Sequence, residues 1–151
     1  PVLAEIQALV VPSSFGNPRR VSNGVEYNRA MLLLAVLEKR GGLLLGNCDA
    51  YLNVIGGLSL DEPAADLAAM LALASSFRDK PVPSDLAAIG EVGLTGELRA
   101  VSNLGQRLSE VRRLGFTKCL IPKRIQGKLA APEGLELIRV ANIREALAAL
   151  L

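Results

Sequence analysis

Histidine is absent from this 151-residue chain, so any proton-transfer or nucleophilic chemistry must be built from other groups. A serine attacks a carbonyl only when a base removes its proton, and here that base would be a lysine kept neutral in a dry pocket. Ser59, Ser75, Ser76 and Ser102 are available as nucleophiles, and the lysines are Lys39, Lys80, Lys118, Lys123 and Lys128. Most of these lysines fall at element ends or in loops, where water keeps an ammonium charged. The spacing alone does not assemble a Ser–Lys pair.

Metal and phosphate-loop chemistry fare no better. Cys48 and Cys119 lie far apart, no CxxC occurs, and without histidine the usual zinc ligand sets cannot be made. Both cysteines read as buried thiols in a reducing, intracellular setting. Asp61, Glu62, Asp66, Asp85, Glu91 and Glu97 lack the spacing of a calcium loop and suit helix caps and exposed faces. Gly90 to Gly96, GEVGLTG, connects strand to strand, so it is read as turn glycines and not as a dinucleotide fingerprint. Gly127-Lys128 has no phosphate-loop context either.

Cations offer more. Arg19-Arg20, Lys39-Arg40, Arg78 with Lys80, Arg112-Arg113, and Lys123-Arg124 with Lys128 gather in loops or at helix ends. Such groups can neutralise phosphates without reading sequence. Taken alone, each pair reads first as a solvated face. Formal charge is only +2, from 17 basic and 15 acidic residues, so a basic surface must come from local clustering. No aromatic interleaving accompanies these clusters, which weighs against a base-stacking platform.

The elements that must position these groups follow from periodicity. Val2–Val11 reads as a strand, Pro12–Gly24 as a polar loop or arm, and Val25–Arg40 as a helix stopped by Gly41-Gly42. Leu43–Leu45 and Ala50–Ile55 read as a β-hairpin about residues 46–49. A second, alanine-rich helix, with Asp61 as cap and Pro63 in its first turn, reaches Phe77. Residues 78–83 form an exposed linker. Ala87–Val92 and Glu97–Val101 are strands joined through Gly93–Gly96. Asn103 with Gln106 makes a capping box for a helix that Gly115 stops, and Lys118–Pro122 is a buried strand. Leu135–Val140 is the last strand, and Asn142 with Glu145 caps a final helix, Ile143–Leu151.

A chain of this length suits one domain, 1–151, able to bury roughly 70% of its unfolded surface. The composition is 50% hydrophobic but only 3% aromatic, so the core is built from Leu, Val, Ile and Ala. No charge-free apolar span of 18 residues occurs, and the N-terminus lacks a basic signal-peptide start, which gives the expectation of a cytoplasmic protein without membrane contact. The order β, α, ββ, α, ββ, α, β, β, α is α+β. The absence of an initial Met fits a fragment of a longer protein.

Several stretches are distinctive. GEVGLTGELRAV, NLGQRLSEVRRLGF and LIPK resemble the peptidase-like domain of Lon proteases; PSSFGNPRR, GVEYNRAMLLLAVLEKR and DAYLNVIGGLSLDEPAADLA resemble the Lon-like domain of the bacterial RadA (Sms) DNA repair family. The resemblance covers nearly the whole chain. It implies the Lon peptidase-like, ribosomal protein S5 domain 2-like α+β fold, with mixed sheets and about four helices. It also implies that the Lon serine position is Ala64 and the Lon lysine position is Gly105, so both members of the dyad are missing.

RadA family proteins are understood as ATP-driven motors of branch migration in recombinational repair, with a four-cysteine zinc motif and a RecA-like ATPase core. ATP, Mg and Zn are thus expected only in parts of the parent outside this chain. The implied role here is a non-proteolytic, ring-forming domain, hexameric as in Lon, that contacts DNA; from the loop clusters, Arg19, Arg20, Arg78, Lys80, Lys123 and Arg124 are the residues expected to touch phosphates. Two alternatives stay open: a purely structural ring scaffold beside the ATPase domain, and a residual Ser–Lys peptidase.

Overall fold

A computed structural model describes residues 3–14, 16–57 and 59–150. Its order is β1 (Ile6–Pro12), β2 (Arg20–Asn23), α1 (Tyr27–Lys39), β3 (Cys48–Val54), α2 (Asp66–Arg78), β4 (Leu86–Ala88), β5 (Glu91–Val92), β6 (Leu98–Arg99), α3 (Leu104–Arg113), β7 (Lys118–Pro122), β8 (Glu136–Val140) and α4 (Ile143–Leu150). The architecture is mixed α+β, as expected, with four α-helices among the described residues.

The first sheet has the order β1-β3-β2. β1 runs antiparallel to β3, with Ile6 opposite Val54 and Pro12 opposite Cys48, while β2 runs parallel to β3. A parallel neighbour needs a crossover, and α1 supplies it between β2 and β3. Val10, Ala50 and Leu52 point inward into the core shared with α1 and α2, and Val54 is buried at their side. The odd-numbered positions face the other way.

The second sheet, β4-β7-β8, is wholly parallel. Such sheets are buried, and KCLIP accordingly has Cys119, Leu120 and Ile121 at 0% exposure. One side of this sheet packs with α3 through Leu104, Leu108 and Val111 in a second apolar cluster. Between β4 and α3 lies the β5–β6 hairpin, whose turn needs glycine. Gly96 has φ +81°, and a Cβ there would sit 2.9 Å from the Cβ of Arg40.

α1 and α2 are tied at their first turns. Asp66 is the buried charged residue among those described, at 3% exposure. Its Oδ1 accepts from Arg29 Nε at 3.0 Å, its Oδ2 from Arg29 Nη2, and Oδ2 also accepts from the Val92 N–H at 3.1 Å. One carboxylate thereby joins α1, α2 and β5. The partnership raises the pKa of the Arg29 guanidinium, chiefly through the hydrogen bond to Asp66.

Several sequence expectations need correction. Leu43–Leu45 is not a strand and forms no hairpin with β3, because β1 and β2 occupy both edges of β3. Leu43 and Leu45 are nevertheless buried at 1% each, with Leu44 at 82% between them. The Pro12–Gly24 loop contains β2. The first strand begins at Ile6, and of the expected span Val2 lies outside the described residues. Ala87–Val92 divides into β4 and β5, which belong to different sheets, and the Glu97–Val101 strand shortens to Leu98–Arg99.

Caps show the same mixture. Glu62, not Asp61, accepts from the Ala64 N–H in the 3-10 turn (Pro63–Ala65) leading into α2. Asn103 has φ +56° and its side chain makes no cap bond. The Asn142 cap forms, with Glu145 N donating to Asn142 Oδ1 at 2.8 Å, while the Glu145 carboxylate reaches one residue further back, accepting from Ala141 N at 3.0 Å. The final helix ends at Leu150, and Leu151 lies outside the described residues.

Replacing Arg29 by Ala strands the Asp66 carboxylate inside the fold. The expected loss is about 3 kcal/mol in urea unfolding, whereas Arg29→Lys retains part of it. An unchanged midpoint for Arg29→Ala would show that the pair does not hold the helices.

Candidate functional site

Ala64 lies in the tight turn before α2 and is 5% exposed. Its carbonyl accepts from Gly90 N at 2.9 Å and its N–H donates to Glu62 Oε1 at 3.1 Å, so the backbone there is fully engaged. It borders a cleft of about 450 Å³ walled by Ala65, Ala68, Ala88 and Ile89, with Gln106 and Arg107 from α3 opposite. Arg107 Nη2 approaches Glu62 Oε1 at 3.3 Å, and Arg107 Nε donates to the Ser102 carbonyl at 2.9 Å. A bridge of charges thus spans one rim of the cleft.

Gly105 stands exposed in the first turn of α3. A Cβ built there meets nothing within 4 Å. It borders a different depression, shared with Ile125, Lys128 and Leu129, while Asn103 and Gln106 line both. A methyl group and a hydrogen offer neither nucleophile nor base. Of the candidate serines, Ser76 Oγ accepts from Val10 N at 2.8 Å and Ser75 Oγ donates to the Lys80 carbonyl at 2.5 Å. These hydroxyls serve backbone groups.

The structure distributes the predicted phosphate-binding residues over three places. Arg19 is exposed at the start of β2, and its N–H donates to Asp49 Oδ1 at 2.7 Å. Arg20 is half-buried and its Nη2 donates to the Leu45 carbonyl at 2.8 Å, so it also holds a loop in place. Arg78 ends α2, followed by Asp79 at φ +52°, and Lys80 is exposed just beyond. Since Ser76 meets Val10, and Val10, Ala50 and Arg20 share one row across the sheet, Arg78 and Arg20 flank opposite edges of three strands.

Lys123 and Arg124, both exposed, leave the C-terminal end of β7, where Lys123 N donates to the Val140 carbonyl at 2.8 Å. The Arg78–Lys80 segment instead leads into the N-terminal end of the same sheet. The six residues therefore do not converge on one patch.

One cationic grouping was not visible as such. Arg144 Nε donates to the Arg40 carbonyl at 3.3 Å, and Arg40 Nε to the Leu94 carbonyl at 3.4 Å, 104 and 54 residues away in sequence. Lys39-Arg40 stood out as a pair, but nothing local marked Arg144 as its neighbour. Arg107 was likewise missed: its partner Glu62 is 45 residues distant.

Cys119 is buried and desolvation pushes its thiol up to about 12, whereas Cys48 is half-buried with its Sγ 4.0 Å from the Leu44 carbonyl. Among the described residues no cluster of three potential metal ligands exists, and no helix is long and apolar enough to cross a membrane.

The sequence that builds this turn, cleft and helix matches a known class. Residues 49–151 match the family described as Lon protease (S16) C-terminal proteolytic domain, and the chain belongs to that family. Within it, the similarity extends to named relatives. The chain is 56% identical over 147 residues, 97% of its length, to DNA repair protein RadA of Bacillus subtilis (strain 168), covering 32% of that protein. It is 51% identical over 97% of its length to DNA repair protein RadA of Streptococcus pneumoniae, covering 35%, and 52% identical to that of Listeria monocytogenes, covering 32%. The chain spans about a third of the length of these relatives.

Two outcomes follow from the site. Gly105→Ala fills open space in a helix and is expected to stabilise the protein by about 0.5–1 kcal/mol in denaturant unfolding; a loss of stability would mean that the glycine is conformationally required. In the folded protein at about pH 8, Cys119 has essentially no thiolate and should resist an alkylating reagent until the chain unfolds. Rapid modification of both cysteines in native buffer would contradict that burial.

Proposed function

We propose that this chain is a non-proteolytic, DNA-contacting and ring-forming domain of a DNA repair protein, acting beside a RecA-like ATPase in recombinational repair and branch migration. The observation that carries the reading is the 56% identity to DNA repair protein RadA across 97% of the chain. The family is named for proteolysis, but Ala64 and Gly105 stand at the positions aligned with the Lon serine and lysine. A methyl carbon cannot add to a carbonyl, and glycine has no side chain to accept a proton. What remains is the scaffold.

In this reading six protomers close a ring, a heterologous interface that returns on itself, in the cytoplasm. Phosphate contacts come from Arg19, Arg20, Arg78, Lys80, Lys123 and Arg124. Their three separate locations suit a strand passing over several faces of a ring better than a single pocket. ATP, Mg and Zn would act in the remainder of the parent protein, and this domain would need none of them.

Titrating a labelled duplex and a labelled single strand at several salt concentrations tests the DNA contact. Binding should weaken steeply with salt, and the combined Arg19→Glu, Lys123→Glu variant should flatten the slope by roughly 0.7–0.9 for each phosphate no longer neutralised. Sedimentation read alongside separates the alternatives: assembly without any DNA binding at low salt would leave only the structural scaffold. Wild-type protein should not degrade casein. Turnover abolished by one serine substitution would restore the peptidase reading.

A further inference from the structure

Among the described residues no helix covers the middle of the first sheet's outer face, though α2 borders its β1 edge beside Gln7 and Leu9; the register there assembles a pattern that the sequence does not display. Side chains alternate along a strand, so Leu9, Tyr51 and Val21 form one transverse row on this face. Leu9 is 53% and Val21 41% exposed, with Tyr51 half-buried between them. The next row is Gln7, Asn53 and Asn23, all exposed. Beyond the other side of Tyr51 lie Asp49 and the exposed Arg19, whose N–H is held by the Asp49 carboxylate.

We propose that this Tyr51-centred face is a stacking platform for the bases of single-stranded nucleic acid. The inference rests on the proposed DNA contact and gives it a location and a strand preference. Three features select bases as the occupant. The centre is a flat aromatic ring flanked by two aliphatic side chains, which fits a nucleobase plane, and stacking of that kind tolerates any base. One adjoining row consists of three uncharged carboxamides that present donors and acceptors to base edges, while the Asp49 carboxylate in the other row is engaged by the Arg19 N–H. Arg19 stands at the far end for a phosphate.

Area argues against a second protein chain. Three strands about 4.8 Å apart and three rows about 7 Å apart give a face of roughly 300 Å². A standard protein interface needs about 800 Å² per partner. The face is therefore too small for a stable dimer and large enough for two or three bases.

The chain has two tyrosines and no tryptophan, so in a Tyr27→Phe variant emission reports Tyr51 alone. Tyr27 opens α1, away from this face, and is 54% exposed. Adding an oligothymidylate of about 15 nucleotides at low salt should quench that emission as the anisotropy of the labelled strand rises. Tyr51→Ala should weaken single-strand binding about tenfold and Tyr51→Phe should preserve it, with duplex affinity unchanged in both. Circular dichroism confirms that the variants fold.

Binding of the strand without quenching overturns the platform while leaving the DNA contact intact. Duplex binding with no single-strand binding does the same. If neither nucleic acid binds, platform and DNA contact fall together. A dimer in sedimentation that Tyr51→Ala dissolves would assign the face to a second copy of the chain and also overturn the proposal.

Discussion

The Asp66 carboxylate is the constraint on which the arrangement of elements depends. It is buried, and burying an unpaired carboxylate is costly enough that folding must deliver its partners together. Arg29 comes from the first turn of α1, and the Val92 N–H comes from β5. The net energy of such a pair is small, since desolvation offsets much of the attraction. Its consequence is geometric: α1, α2 and the hairpin can occupy only one mutual position. From Val92 the constraint passes to Leu98, opposite it in the hairpin, and on to the Ala141 carbonyl that Leu98 N–H reaches at 2.9 Å. The Gly96 carbonyl accepts from Ile143 N at 2.8 Å, which brings α4 into the same assembly.

Elements whose signal is local were legible in the sequence. The helical stripe of Leu104, Leu108 and Val111, the buried KCLIP strand and the Asn142 cap are each written within ten residues. Leu43–Leu45 shows the limit. Alternate burial of Leu43 and Leu45 gives a strand-like pattern, yet a strand requires a free edge, and both edges of β3 are taken by β1 and β2, which lie earlier in the chain. No window around residue 43 contains that information. Asn103 is a comparable case: it has the composition of a cap, but the neighbouring Ser102 carbonyl is taken by Arg107, and the backbone enters α3 in the left-handed region.

The functional site was legible in a different way. Ala64 and Gly105 are unremarkable by residue type, and only the proposed correspondence with the Lon serine and lysine gives them meaning. Loop cations could be found by eye, but their separation into three places depends on strand direction. The Arg40–Arg144 contact and the Leu9–Tyr51–Val21 row are tertiary facts. Aromatic content is 3%, which argued against stacking on composition; one tyrosine placed at the middle of a sheet face changes that argument, because position rather than number decides what a base can meet.

The cleft beside Ala64 differs from an acyl-transfer site in its backbone as well as in the dyad that the proposed reading finds missing. Such sites aim free backbone N–H groups at the oxygen that becomes negative, and the nucleophile's own amide is a usual donor. Here the Ala64 N–H is already bonded to the Glu62 carboxylate at 3.1 Å, and that carboxylate is held from the other side by Arg107. A developing oxyanion would meet a negative charge where it needs a donor. On the proposed reading the aligned hydroxyl and amine are missing, and the amide beside them is already occupied. The contact that occupies the amide also closes the turn, since Glu62 ties the entry of α2 to α3. On the proposed reading the turn has exchanged a reactive geometry for a structural one, and the same contacts that forbid proteolysis hold the two helices that frame the cleft.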